Sequence, residues 1–533
     1  MNNRSLFSKL FKKKSKKRAV NNIDVSKEQT PLKTKLSDNI EYMKTTLGES
    51  SDIVFREFRL SDSANTKIAV VHTDGLSDRD TIQEQILKTL MVDIRKLNFE
   101  SEINSKKKLL KFINDYALPG SDVKEIEHYE LLYNLLLSGD TIILIDGYKQ
   151  AFVVSTRAWS DRGITAPDSQ TVVRGPKDSF TETLRTNTSL LRRKIKDPNL
   201  WIETTQIGRL TKTDVSIAYI NGVADEKIVE EVRERLERID IDGILEGGYI
   251  EEFIQDKTFT PFPTVYNSER PDTIAAGLLE GRVAIIVDGT PFVLLVPALF
   301  IHFLQSAEDY FQRFDISTLS RILRYIAFFL ALLTPSLYIA ITTFHQEMIP
   351  TTLLVSIAAQ RDGVPFPALV EALIMELTFE ILREAGIRMP RSIGAAISIV
   401  GALVLGEAAV QAGIVSPVMV IVVSITAISS FVIPSYNMAN SVRILRFGFM
   451  LASATFGLYG MAMCFIALLI HLCSLRSFSV PYMIPLAPFN TSDQKDAILR
   501  FPIWSRWKSP RILGRNNSIR QQNPSKAKPE PNK

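Results

Sequence analysis

Only two cysteines, Cys464 and Cys473, and five histidines, His72, His128, His302, His345 and His471, occur in the 533 residues. The cysteines lie nine residues apart within the last hydrophobic segment. That spacing suits neither a metal site nor a disulfide framework, so they read as packing residues. The histidines are scattered without ligand spacing. There is no GxxxxGK(S/T) phosphate loop, no GxGxxG after a strand and no GxSxG elbow. An enzyme reading, and with it a metal or cofactor, has no residues to stand on. Met1 to Lys17 also lacks an apolar core of signal-peptide length, because Leu6, Phe7, Leu10 and Phe11 sit among lysines. The soluble part is therefore expected to stay in the cytoplasm.

Hydrophobic residues make up 46% of the chain, but unevenly. The region before about residue 280 is charged and of ordinary globular composition, whereas most of residues 322–473 is apolar with scattered charges. Both ends are basic: residues 1–35 hold eleven Lys or Arg against Asp24 and Glu28, and residues 490–533 hold ten against three acids. On a membrane protein such clusters face anionic lipid more simply than nucleic acid, and LFSKLFKKKSKKR fits a lipid-surface contact or a plain solvated tail. Residues 516–533, polar and with Pro524, Pro529 and Pro531, are expected to be disordered.

The chain contains an internal repeat. Gly139 to Gly147 (GDTIILIDG) recurs as Gly281 to Gly289 (GRVAIIVDG), and Ile68 to Asp78 matches Val215 to Asp225. Each copy reads as a strand, a Gly-containing turn, an amphipathic helix (Ile82, Ile86, Leu90; Val229, Val232, Leu236), further helices, and a hairpin turned at Asp-Gly. Asp74, Asp146 and Asp288, each beside a glycine, read as turn chemistry rather than a catalytic set. The repeat makes Val283 to Val287 and Phe292 to Val296 a β-hairpin, although hydropathy alone would make Val283 to Leu304 a membrane helix. Pro297 to Phe311 then reads as an amphipathic connector at the membrane surface. The expected fold is an α/β cytoplasmic domain of two duplicated lobes followed by an α-helical polytopic membrane domain. Its parts are a basic tail (1–38), the two-lobed domain (39–296, lobes about 39–155 and 156–296), the helical domain (297–489) and a basic C-terminal tail (490–533).

Four stretches are long enough to span a bilayer: Ile322 to Thr343, Ser392 to Ala412, Ile414 to Ile433 and Phe447 to Cys473. With four crossings, Arg313, Arg321 and Arg324 obey the positive-inside tendency, but Arg388, Arg391, Arg443 and Arg446 fall outside. Four to six crossings therefore stay open. At membrane depth an ionisable group costs at least about 2.5 kcal/mol, so charges there mark an interior, a partner or an aqueous path. Between Phe366 and Gly386, Glu376, Glu380 and Arg383 fall within about 60 degrees of one another, with Glu371 nearly opposite. This is either an interfacial helix with a local Glu380–Arg383 pair or a re-entrant helix lining an ion or proton path. The span Ser392 to Ala412 carries Gly394, Ser398, Ala402 and Gly406 at every fourth position, a ladder for close helix packing within one subunit or between identical ones. On a neighbouring face Val400, Leu403, Val404, Glu407 and Gln411 line up as candidate pore-lining residues, an apolar constriction beside a carboxylate.

The segments ITTFHQEMIP (341–350), REAGIRMPRSIGAAISIVGALVLGEAAVQAGIVSP (383–417) and PFPTVYNSERPD (261–272) resemble the A subunits of GerA-type spore germination receptors, and the resemblance runs from about residue 40 to about residue 490. It implies a protein of the spore inner membrane that assembles with a permease-like B subunit and a lipoprotein C subunit. It also implies a homo-oligomer forming a nutrient-gated ion channel that releases cations at germination. A secondary transporter would predict an inverted repeat among the spans, and none is found. A membrane-anchored module binding a small molecule between the lobes is the remaining alternative.

Overall fold

A computed structural model describes residues 30–59, 66–93, 123–157, 166–167, 169–388, 406–489 and 493–505. Most of the basic N-terminal tail, and the residues after 505, lie outside the described residues.

The N-terminal half holds two five-stranded antiparallel sheets. The first contains β1 (Ile53–Arg59), β2 (Lys67–Thr73), β3 (Val123–Ile126), β4 (Thr141–Ile145) and β5 (Ala151–Val154) in the order β1-β2-β4-β5-β3. The second contains β6 (Leu200–Ile207), β7 (Thr213–Ile220), β8 (Tyr266–Ser268), β9 (Val283–Val287) and β10 (Val293–Val296) in the corresponding order β6-β7-β9-β10-β8. Helices α1 (Leu36–Thr46) and α2 (Tyr129–Leu136) cover one face of the first sheet, where Ile142 and Leu144 point. The wide helical turn Thr81–Leu87 covers the other, packing Ile82 and Ile86 on Ile143 and Ile145. On the second sheet, α3 (Leu184–Lys194) lies on the Ala284 and Ile286 face, α4 (Glu226–Glu237) and α5 (Gly247–Ile254) on the Ile285 and Val287 face, and α6 (Pro271–Leu279) returns to the α3 side. Burial on both faces explains the unbroken apolar runs of β4 and β9. Val283 to Val296 is a sheet hairpin for that reason, despite its hydropathy.

The hairpin turns do matching work in both sheets. Asp146 Oδ1 accepts the amide of Leu36 at 2.9 Å, and Asp288 Oδ1 accepts that of Leu184 at 2.9 Å, so each turn aspartate satisfies an unpaired amide at the start of a helix. The neighbouring Gly147 and Gly289 have φ of 85° and 90°, which a side chain would strain. The two sheet units are joined by Asp52 and Arg192, whose Nε–Oδ2 distance is 2.7 Å with both side chains buried. The Trp201 indole also donates to the Thr46 carbonyl at 3.2 Å.

The connector after β10, expected at the membrane surface, is packed inside the protein. Phe300, Phe303 and Leu304 are buried with Phe328, Met438 and Leu472, because two short turns (Phe300–Leu304, Ala307–Tyr310) wedge the connector between the second sheet unit and the helices. The helices are α7 (Phe314–Phe344), α8 (Thr351–Arg361), α9 (Ala368–Arg388), α10 (Gly406–Gln411), α11 (Pro417–Val432) and α12 (Tyr436–Ser474). Among the described residues α7 and α12 are long and apolar enough to cross a membrane, and α11 is a shorter apolar helix. Most of Ser392 to Ala412 lies outside the described residues.

The expected single span Phe447 to Cys473 is interrupted. Gly457, at φ 61° and ψ −142°, is non-helical within α12. A Cβ added at Gly460 would meet the Ala452 carbonyl oxygen at 2.2 Å, whereas in a straight helix residues eight apart are separated by about 12 Å. Ser441 before the break bonds the Pro261 carbonyl, and His471 after it lies 2.9 Å from Thr260 Oγ1. The chain therefore rises away from the second sheet unit through 436–456, reverses at Gly457, and descends through 458–474. Cys464 is half-buried against the bundle core, while Cys473 is exposed and so does not pack as expected.

Candidate functional site

Four of the charges expected at membrane depth sit on α9, and three of them are carboxylates compensated from other helices. Glu371, fully buried, accepts the Ser416 amide at 2.5 Å and the Ser416 hydroxyl, and Arg361 Nε of α8 lies 3.7 Å away. Ser416 in turn caps α11, its Oγ accepting the Met419 amide at 3.3 Å. One and a half turns along α9, Glu376 pairs with Arg446 of α12, both buried, and Arg446 Nε donates to the Ala331 carbonyl of α7 at 2.9 Å. One turn further, Glu380 takes both arms of Arg443, with Nε–Oε1 at 2.9 Å. The second oxygens of Glu371 and Glu376 are buried without a hydrogen bond among the described residues.

The expected local pair of Glu380 and Arg383 is corrected by this geometry. Arg443 reaches Glu380 with its planar fork, a better match to a carboxylate than a same-helix neighbour. Arg383 instead donates to Ser430 Oγ at 2.8 Å and lies 4.6 Å from the Phe431 ring centroid. Glu376, Glu380 and Arg383 do share one side of α9, as their spacing implied, but each has its own partner. The sequence reading missed Arg443 and Arg446 as the partners of Glu380 and Glu376. The available signal was their number among apolar residues, which read instead as a topological conflict.

Of the pore candidates, Val400, Leu403 and Val404, with Gly394, Ser398 and Ala402 of the small-residue ladder, lie outside the described residues. Gly406 faces Val420 of α11, where an added Cβ would make ordinary contact at 3.8 Å. Glu407 and Gln411 are exposed on α10, joined by a 3.2 Å hydrogen bond. Glu407 has no cationic partner among the described residues. Helix α10 lies at the end of the bundle away from the sheets, since a Cβ added at Gly413, just beyond it, would meet the Gly363 carbonyl oxygen at 3.1 Å.

At the opposite end, a cavity of about 600 Å³ opens between the second sheet unit and the helices, lined by Gln170, Arg270, Arg324, Arg383, Phe431 and Asn440 among others. A second cavity of about 660 Å³ adjoins it and shares Tyr266, whose hydroxyl burial pushes up to about 12. At the foot of α7, buried Asp309 accepts Arg321 Nε at 2.9 Å and Arg324 at 2.7 Å. Arg321 also donates to Asp496 at 3.0 Å, and Gln305 to the Asp496 carbonyl at 2.7 Å, so segment 493–505 is fastened to connector and helix together.

Comparison with known proteins identifies the family. A family model described as "Bacillus/Clostridium GerA spore germination protein" matches residues 41–512. The chain is 51% identical to spore germination protein KA of Bacillus subtilis over 494 residues, covering 93% of this chain and 89% of that protein. It is 40% identical to spore germination protein GerLA of Bacillus cereus, covering 88% and 94%. The crystal structure of the N-terminal domain of the A subunit of the Bacillus megaterium spore germinant receptor GerK3 is 42% identical, covering 51% of this chain and 98% of that one with a TM-score of 0.41. The chain belongs to the GerA family of spore germination proteins.

Proposed function

We propose that this chain is the A subunit of a nutrient-responsive germination receptor in the spore inner membrane, and that copies of it oligomerise into a ligand-gated channel releasing cations at germination. The observation that carries the channel reading is the unequal fate of the bundle's carboxylates. Glu371, Glu376 and Glu380 each lie beside an arginine of another helix, while Glu407 is exposed and, among the described residues, has Gln411 beside it and no cation. A carboxylate left without a cation at a membrane edge is stabilised by water or by a neighbouring subunit, and both occur at a pore mouth. Val400, Leu403 and Val404 then form the constriction, and Gly394, Ser398, Ala402 and Gly406 the packing ladder.

The same reading assigns six crossings, with both termini on the cytoplasmic side. Glu371 and Ser416 mark one end of the bundle, and Arg383 with Ser430 the other, so α9 and α11 descend in parallel toward the sheets. Helix α7 and residues 436–456 ascend, and residues 458–474 descend. Arg388 and Gly406 stand at opposite ends, and the sixth crossing is the one expected from the sequence for Ser392 to Ala412. Six legs bring Arg388, Arg443 and Arg446 toward the inside, which removes the conflict that four crossings create. The two sheet units of matching strand order are read as duplicated lobes, with the helical domain beginning near residue 297. A permease-like B subunit and a lipoprotein C subunit complete the receptor.

The test is Glu407→Gln in spores. With normal amounts of receptor, nutrient-triggered potassium efflux is expected to slow, and unchanged efflux removes Glu407 from the pathway. Subunit stoichiometry in membranes is expected to show a ring of identical chains; a single copy beside one B subunit overturns the channel.

A further inference from the structure

The cavity at the sheet-facing end of the bundle has a feature that the channel reading does not use. Arg270 is occupied by Asp272 and two carbonyls, and Arg324 by Asp309. Arg383, on the same cavity wall, has no carboxylate partner among the described residues; it bonds the Ser430 hydroxyl and stacks on Phe431. An arginine held against an aromatic ring beside a hydroxyl, with the Asn440 amide lining the same cavity, keeps guanidinium donors for an oxyanion.

The wall is amphipathic. Ile387 and Phe431 line the cavity and are exposed, and from Phe431 the apolar surface continues along α11 through Ile428 and Ile421, spaced three and seven residues apart and both exposed. On the other side stand Gln170, Thr171 and Gln305 of the sheet unit and connector. A charged seat at the level where helices meet soluble domain, opening onto an apolar helical stripe, has the chemistry of a phospholipid at a leaflet surface.

We propose that this cavity seats the head group of an anionic phospholipid, with Arg383 binding its phosphate, Ser430 and Asn440 beside it, and one acyl chain along Phe431, Ile428 and Ile421. The proposal rests on the bundle lying in a bilayer, not on ion conduction, so it stands or falls separately from the role of Glu407.

The test uses the full-length chain extracted in mild detergent and placed in nanodiscs of phosphatidylcholine with or without phosphatidylglycerol. Native mass spectrometry is expected to show retained phosphatidylglycerol, and the thermal midpoint to rise with it. Arg383→Gln is expected to lower retention about tenfold, the loss of one charge-assisted contact. Asn440→Asp, which keeps an acceptor for Arg443 while adding a negative charge to the cavity, is expected to do the same, and it carries the test should Arg383→Gln not fold. Inorganic phosphate or glycerol phosphate alone is expected to leave the midpoint unchanged. Equal retention by both variants overturns the site. An Arg383-dependent response to inorganic phosphate makes it a seat for a soluble oxyanion and overturns the lipid. Cross-linking of Ile428→Cys between identical chains shows that another copy covers the stripe, and likewise overturns it.

Discussion

Glu376 and Arg446 meet in the centre of the helical bundle with both side chains buried, and Arg446 simultaneously binds the Ala331 carbonyl of a third helix. Removing one partner strands the other charge. Glu376→Ala should therefore destabilise the full-length protein by about 3–5 kcal/mol, read as a lower thermal midpoint in detergent and less protein in membranes. Replacing both residues with leucine should restore most of that loss. A single variant that melts like the parent would show the pair to be solvated.

The second buried pair, Asp52 with Arg192, joins the two sheet units. Asp52→Ala should again cost about 3–5 kcal/mol, but the damage should appear as faster hydrogen exchange along the β6 edge and at Trp201, not in the helices. Uniform loosening of both units would contradict the interface assigned here.

Gly457 turns the chain at the far end of the bundle. Its φ of 61° and an added Cβ only 2.7 Å from His345 Cε1 leave no room for alanine. Gly457→Ala should cost about 1–3 kcal/mol, whereas Gly448→Ala, with nothing within 4 Å, should be neutral or mildly stabilising. Equal melting of the two variants would refute the reversal.

Glu251 on α5 makes the second sheet unit sensitive to pH. Burial, then the nearby Glu246 carboxylate, raises its pKa from 4.5 to about 7. Because the folded pKa is the higher, its neutral form favours the fold: that contribution is complete below 4.5 and is lost as pH rises through about 7. Glu251→Gln should raise the thermal midpoint at pH 8 and leave it nearly unchanged at pH 4.5, flattening the profile between them.

The sheet hairpins were legible because their chemistry is local. GDTIILIDG and GRVAIIVDG each combine a β-rich run with an Asp-Gly turn, and a repeated soluble motif outweighs hydropathy at Val283 to Val296. Helices α1 and α3 were not anticipated, since the contact that starts each is a hydrogen bond to an aspartate more than a hundred residues away. The partners of Glu376 and Glu380 were hidden for the same reason. Periodicity places side chains on a face of their own helix but says nothing of which helix comes to meet them. The break in α12 was overlooked because an apolar segment with an internal glycine looks like one long span until its two halves find a common anchor at Thr260 and Pro261.

Asp496 gives the helix foot a mechanical character. It binds Arg321 of α7 and accepts from Gln305 and Tyr310 of the connector, while Arg500 exchanges bonds with Thr318. A chain that has traversed the whole helical domain thus comes back to clasp the root of its first long helix. Tilting or turning that helix must drag both the connector beneath the second sheet and the returning strap, or tear their bonds. The three pieces behave as one crank, through which torque applied at the sheets is delivered to the bundle.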